Sequence, residues 1–274
     1  FWSLDVLFGG KGFMSAEEIV RFDCADGIAT ITLNRPERRN ALSIAAVERL
    51  YDLWETIDAR PEIRVVVLTA APCGTFCAGM DLKEASEIKV KQGVDVLTLL
   101  RDPFHQRMRA VRAPIIAAMT GHFAAGGFML SLNADIRIGV AGTSGGITES
   151  KRGRGSPWAV PLLWQVPQPL FMEMVLTGEP QTIERLYDLG FINYVEPTAQ
   201  AVLDRAARLA KVICENAPLS VAAGKKSILS AMSLGCEGGL DEAKRIYEHV
   251  YASEDAQEGP RAFAEKRAPV WRGR

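Results

Sequence analysis

Residues 113–135 hold the pattern from which a backbone anion site is most simply built. An apolar run beginning Pro114-Ile115-Ile116-Ala117-Ala118-Met119 stops at Gly121, a bend of small residues follows, and Gly126-Gly127 opens a second apolar run at helical spacing. The expected order is strand, tight turn, helix N-terminus. The first N–H groups of a helix have no partner within it and its dipole favours negative charge there, so the Gly-Gly opening is a candidate anion or oxyanion site. A plain bend between two buried elements would need the same glycines. A second stretch of this kind lies upstream, Gly74-Thr75-Phe76-Cys77-Ala78-Gly79-Met80-Asp81-Leu82-Lys83-Glu84. A competing motif, Gly142-Thr143-Ser144-Gly145-Gly146, fits the G-x-S-x-G turn of serine hydrolases. That chemistry needs an acid and then a histidine downstream, and the one downstream histidine, His249, falls in a helical pattern, so hydrolysis is disfavoured. His122, beside the glycine bend, either touches a substrate or caps the turn.

Several elements must position these stretches. Two short apolar runs, Ile19 to Cys24 and Ala29 to Leu33, flank Asp26-Gly27 and predict a β-hairpin that Pro36 ends. From Ser43, a capping residue type, apolar side chains at Val47, Leu50, Tyr51, Trp54 and Ile57 predict a helix that stops before Pro61. Val65 to Thr69 reads as a buried strand, followed by a loop over Ala71 to Asp81, and Ile136 to Val140 as another strand. Strands alternating with helices argue for an α/β fold with largely parallel pairing. Beyond about Trp158 strand signals nearly vanish, and helices are expected over 162–176, 183–189, 199–216, 219–234 and 240–251.

The two glycine stretches, taken in order with Asn34-Arg35-Pro36, Asn40-Ala41-Leu42-Ser43, Ile147-Thr148-Glu149-Ser150-Lys151-Arg152-Gly153, Leu176-Thr177-Gly178 and Phe263-Ala264-Glu265-Lys266-Arg267, resemble the enoyl-CoA hydratase/isomerase (crotonase) superfamily from roughly Ile19 to Trp271. The resemblance implies a ββα spiral core over residues 14–210, a helical C-terminal trimerisation region over 211–274, and a homotrimer or homohexamer. It also implies an acyl-CoA substrate, with coenzyme A as part of that substrate and no separate cofactor or metal. By motif position, the N–H groups of Met80 and Gly126 would hold the thioester oxygen and Glu149 would be the acid/base. Ala78, Asp81, Leu82, Gly127 and Met129 would line the substrate, while Arg38, Arg39, Ala41, Lys83, Phe263 and Lys266 would meet its CoA portion. The physical logic is general: oxyanion donors stabilise an enolate, and a carboxyl tuned upward by desolvation moves its proton. Three departures stand out. Gly145 occupies a position where the family commonly has phenylalanine, the 152–156 segment is unusually basic, and Met129 replaces the second glutamate that typical hydratases carry. Glu48, Glu84 and Glu87 fall on helix faces expected to be exposed and offer no substitute. Hydration, dehydration or isomerisation is therefore expected; cleavage or decarboxylation of a β-oxo-acyl-CoA, or a CoA-thioester-binding protein without turnover, are the alternatives.

Composition sets limits. With 32 basic and 33 acidic residues the net charge is −1, which implies neither a nucleic-acid partner nor an anionic membrane surface. Five scattered cysteines without a CxxC pair, and three histidines, fit a reducing cytoplasm and argue against structural zinc. No run approaches the roughly 18 apolar residues of a spanning helix. Residues 1–13 precede Met14-Ser15-Ala16-Glu17-Glu18, a natural type of start, and are expected to be an appended or disordered leader.

Overall fold

The computed structural model describes residues 15–102 and 104–274; the leader expected over 1–13 lies outside them. The first part of the chain forms α1 (Ala16–Ile19), β1 (Val20–Ala25), β2 (Ile28–Leu33), α2 (Ile44–Asp58), β3 (Val65–Ala70), β4 (Thr75–Cys77), α3 (Leu82–Gln92), α4 (His105–Ala110), β5 (Ile115–Met119), β6 (His122–Ala124), α5 (Gly126–Leu132), β7 (Ile136–Val140) and β8 (Ser144–Gly146). Then follow α6 (Gln168–Thr177), β9 (Gln181–Thr182), α7 (Ile183–Asp188), β10 (Tyr194–Glu196), α8 (Ala199–Glu215), α9 (Pro218–Tyr251) and α10 (Glu254–Glu265).

The hairpin β1–β2 turns at Asp26 and Gly27, both at positive φ (51° and 78°), the backbone that a two-residue primed turn requires. Ser43 caps α2 by accepting from the Ala46 N–H. Six strands form the main sheet in the order β1-β2-β3-β5-β7-β10, parallel except for the first pair. A second sheet, β4-β6-β8-β9, is parallel up to β8. Each pass of the chain places one strand in each sheet, β3 then β4, β5 then β6, β7 then β8, and so advances as a spiral. Both faces of the main sheet are covered, and β3 is accordingly buried throughout: Val66 and Leu68 join the large core with Trp54, Leu50, Phe76 and Phe128, while Val65 and Val67 meet Val202, Ala206 and Ala210 of α8. The boundary expected at 210/211 falls inside α8.

Three departures from the expected elements have physical causes. The helix expected over 162–176 is two pieces, a 3₁₀ helix (Pro157–Trp164) and α6, because Pro161 and Pro167 cannot supply backbone donors. β10 adds an edge strand within the region expected to be helical; at three half-buried residues it carries no periodicity to read. Helix α9 is broken at Gly235 (φ 70°, ψ −175°) into two antiparallel arms, 218–234 and 236–251, and a Cβ on Gly239 would lie 2.8 Å from that of Ala231 across the hairpin.

Candidate active site

The two glycine turns come together because β4 and β6 pair in parallel and each turn leaves the C-terminal end of its strand. The approach is backbone to backbone. A Cβ on Gly79 would stand 3.2 Å from Gly126 N and 2.8 Å from the Ala125 Cβ, and one on Gly127 would stand 2.2 Å from the Cys77 carbonyl oxygen. Gly79 also holds φ +94°, so no other residue fits there. Ala125, which precedes α5, adopts φ 48°, ψ −115°, a strained backbone of the kind that costs about 1–3 kcal/mol and recurs at functional sites. Its N–H donates to the Gly146 carbonyl (3.0 Å) and its own carbonyl accepts from Met129 N–H (2.9 Å).

Met80 forms an isolated parallel bridge with Leu42, in which the Leu42 N–H donates to Gly79 O at 2.8 Å and the Asp81 N–H donates to Leu42 O at 2.9 Å. Met80 itself makes no hydrogen bond to Leu42 in this bridge. Neither this N–H nor that of Gly126, the first residue of α5, has an acceptor among the described residues. Two free donors on adjoining turns can hold one oxygen as negative charge develops on it.

Glu149 opens a 3₁₀ turn, Glu149–Arg152, that Gly153 closes at φ 63°. Its Oε1 accepts from Trp158 Nε1 at 3.1 Å, and its Oε2 is buried with no partner among the described residues. Burial raises its pKa above that of an ordinary glutamate, against the opposing pull of donors from its own backbone, Trp158 and Thr148. Trp158 is held in turn by Phe128 of α5, ring centroids 6.3 Å apart, and Phe128 stacks on Phe123 and Phe191. The glutamate is thus referenced to the same helix that carries Gly126. Gly145 is explained here: a Cβ would lie 2.2 Å from the Phe123 ring, which fills the space a side chain at 145 would take. Met129, on α5, is half-buried against the core and brings no charge.

The other candidate residues divide. Asn40 is buried, donates to Ala71 O (2.9 Å) and Thr75 O (2.8 Å), and fixes a loop in which Arg39 O accepts from Ala78 N–H at 3.2 Å; exposed Arg38 and Arg39 therefore stand beside the first glycine turn. Asp81 caps α3 through the N–H groups of Lys83 and Glu84 and pairs with Arg35 at 2.9 Å. Burial opposes ionisation of Asp81, but these hydrogen bonds outweigh it and hold the pKa below the usual value. Arg35 also donates to Ala41 O at 2.8 Å. Leu82 and Lys83 are exposed on α3, whereas Phe263 and Lys266 lie exposed at the end of α10, and among the described residues none of these four side chains makes a hydrogen bond or ion pair. Glu84 corrects the expectation of an exposed face: it is half-buried, accepts from the Ile44 N–H at 3.0 Å and so serves the start of α2. Ser144 lies on a strand, not on an elbow into a helix, and its Oγ and N–H both meet His122 Nδ1 at 3.0 Å; the pair joins β6 to β8. Sequence reasoning missed Trp158 as the partner of Glu149, since nothing local distinguishes it from a core tryptophan; Arg35 stood in a quoted motif without a role.

The site thus combines a parallel spiral core, two touching glycine turns whose Met80 and Gly126 N–H groups have no acceptor among the described residues, and a half-buried carboxyl at Glu149. The enoyl-CoA hydratase/isomerase family profile matches residues 23–274. Enoyl-CoA hydratase EchA19 of Mycobacterium tuberculosis is 37% identical over 89% of this chain and 92% of its own, and (E)-benzylidenesuccinyl-CoA hydratase of Thauera aromatica is 34% identical over 93% and 99%. A crystal structure of an enoyl-CoA hydratase from Mycobacterium tuberculosis H37Rv superimposes with a TM-score of 0.84 at 34% identity, over 94% of this chain and 100% of the other. This chain belongs to the enoyl-CoA hydratase/isomerase family and is an acyl-CoA enzyme with the crotonase fold.

Proposed function

We propose that the protein binds an acyl-CoA thioester oxygen between the N–H groups of Met80 and Gly126 and moves a proton on the neighbouring carbons with Glu149. The carrying observation is the backbone contact of the two turns, in which Gly79 meets Gly126 N with no room for a side chain. The carbonyl oxygen gains negative charge as the α-proton leaves, and donors fixed in advance stabilise that charge without reorganising. Glu149 suits the proton: one oxygen is anchored by Trp158 and the other is free, in surroundings that raise its basicity. Arg38, Arg39 and Lys83 would meet the phosphates of CoA as exposed cations, with Phe263 and Lys266 contributed across a trimer interface.

Met129 favours isomerisation, or elimination and addition on a specialised acyl group, over hydration of a simple enoyl chain. Hydration divides water activation and carbon protonation between two carboxyls, and an apolar Met129 leaves Glu149 to act alone in this reading. Exchange of solvent deuterium into the α-position of a bound acyl-CoA tests the reading directly. The wild type should exchange, and Glu149→Gln should exchange at least about 10²-fold more slowly with binding retained, the usual scale for one acid–base group. Near-normal exchange in the variant would remove Glu149 from the mechanism.

A further inference from the structure

The far end of α5 holds three buried polar atoms without partners. Asn133, 5% exposed, follows the last residue of α5; its Nδ2 donates to Met129 O at 2.9 Å and lies 3.1 Å from His105 Nδ1, contacts that fix which way the amide points. Its Oδ1 is then left unpaired. With Nδ1 accepting, the His105 ring proton sits on Nε2, which is likewise buried and unpaired. Gln165 Nε2 donates to Leu132 O at 3.2 Å, and its Oε1 is the third orphan. Two acceptors and one donor are therefore unpaired on side chains whose other polar atoms bond at Met129 O, Asn133 and Leu132 O, although buried polar groups almost always find partners.

Their position relates them to the reaction. Met129 and Asn133 are four residues apart and share a face of α5. The 3₁₀ helix 157–164 runs along α5 in the same direction, Trp158 against Phe128 near the start and Gln165 against Leu132 at the end. With the thioester at the N-terminus of α5 and the reacting carbons beside Met129 and Glu149, a chain continuing along that face meets Asn133 after seven residues of helix, ~10 Å at 1.5 Å each.

We propose that His105, Asn133 and Gln165 terminate the acyl pocket and select a medium-length acyl chain that carries an uncharged hydroxyl at its far end. A hydroxyl donates to an amide oxygen and accepts from His105 Nε2–H. A carboxylate would set its charge against two acceptors, and an alkyl end would leave all three groups unpaired. The inference rests on the acyl-CoA reading above, and binding separates the two. Isothermal titration with saturated octanoyl-CoA and ω-hydroxyoctanoyl-CoA should show the hydroxylated chain binding at least about tenfold more tightly, since a site built around a hydroxyl rejects the analogue that lacks it. Asn133→Leu and Gln165→Leu, checked for folding by circular dichroism, should each bring the ratio towards one. Equal wild-type affinities overturn the inference alone, as they would if the cluster merely encloses a water. Failure of both ligands to bind overturns the acyl-CoA reading and this inference with it.

Discussion

Adding one methyl group to either of two adjacent glycines should separate packing at the site from catalysis. A Cβ on Gly127 falls 2.2 Å from the Cys77 carbonyl oxygen and 2.9 Å from the Cys77 Cβ. Both obstacles belong to β4 just before the Ala78-Gly79-Met80 turn, and the nearer is backbone. Relief requires α5 and β4 to part by about 1 Å, given that carbon contacts settle near 3.5 Å. In Gly126→Ala the nearest atom is Leu42 Cδ1 at 3.0 Å, the end of a flexible side chain that can swing aside. Overpacking costs about 1–3 kcal/mol, within the roughly 5–15 kcal/mol of stability a domain has, so both variants should fold. A 1 Å displacement of positioned groups can cost about 10²-fold in rate. Gly127→Ala should therefore lose about two orders of magnitude in α-deuterium exchange, while Gly126→Ala stays within about tenfold of wild type. Thermal unfolding by circular dichroism would confirm that each is folded. A folded Gly127→Ala protein with full exchange would show that the spacing of the two turns does not matter to the chemistry. Proline at Gly126, the more obvious way to delete an N–H, is a poorer probe, because it would force Ala125 out of its φ 48°, ψ −115° backbone as well.

Three further outcomes follow from the same geometry. Trp158→Phe removes a donor that lowers the Glu149 pKa; if the ionised carboxylate is the base, as proposed, the acid limb of the pH–rate profile should lie above that of an ordinary glutamate in the wild type and move to still higher pH in the variant, and an unmoved or lowered limb would contradict the proposal. Crotonyl-CoA hydration should run at least about 10²-fold below that of a two-glutamate hydratase, and Met129→Glu should raise it; wild-type kcat/KM near the roughly 10⁸ M⁻¹s⁻¹ ceiling would refute this. Exposed Ile228, Leu234, Leu240, Tyr251 and Phe263 on α9 and α10 predict burial between subunits, so light scattering should give a trimer or hexamer, and a monomer at micromolar concentration would exclude a shared site.

What could be read from the sequence was what depends on local rules. The Asp26-Gly27 turn, the Ser43 cap and the buried Val65 to Thr69 run each carry their structure in a few adjacent residues, and the Gly126-Gly127 opening declared a helix start. The second sheet did not show itself, because β4, β6 and β8 have three residues each and leave no period to detect. Nor could the partners of the chemistry: Trp158 reaches Glu149 across nine residues, Arg35 reaches Asp81 across 46, and Glu84 meets Ile44 across 40. The last two pairings exist only once the spiral brings successive passes together, and the first only once two 3₁₀ turns fold back on one another. Gly145 makes the point most sharply. In sequence it is a departure that puts the placement of Glu149 in doubt, since a large side chain is missing four residues before it. In the fold the missing volume is supplied from the neighbouring strand by Phe123, whose ring stacks on Phe128 and through it on Trp158, so the substitution relocates the packing that supports the glutamate without removing it. Glu84 offers Met129 no such compensation, because this half-buried carboxyl is committed to the Ile44 N–H; on the proposed reading, with Glu149 as acid/base, the character of the reaction should follow from that asymmetry.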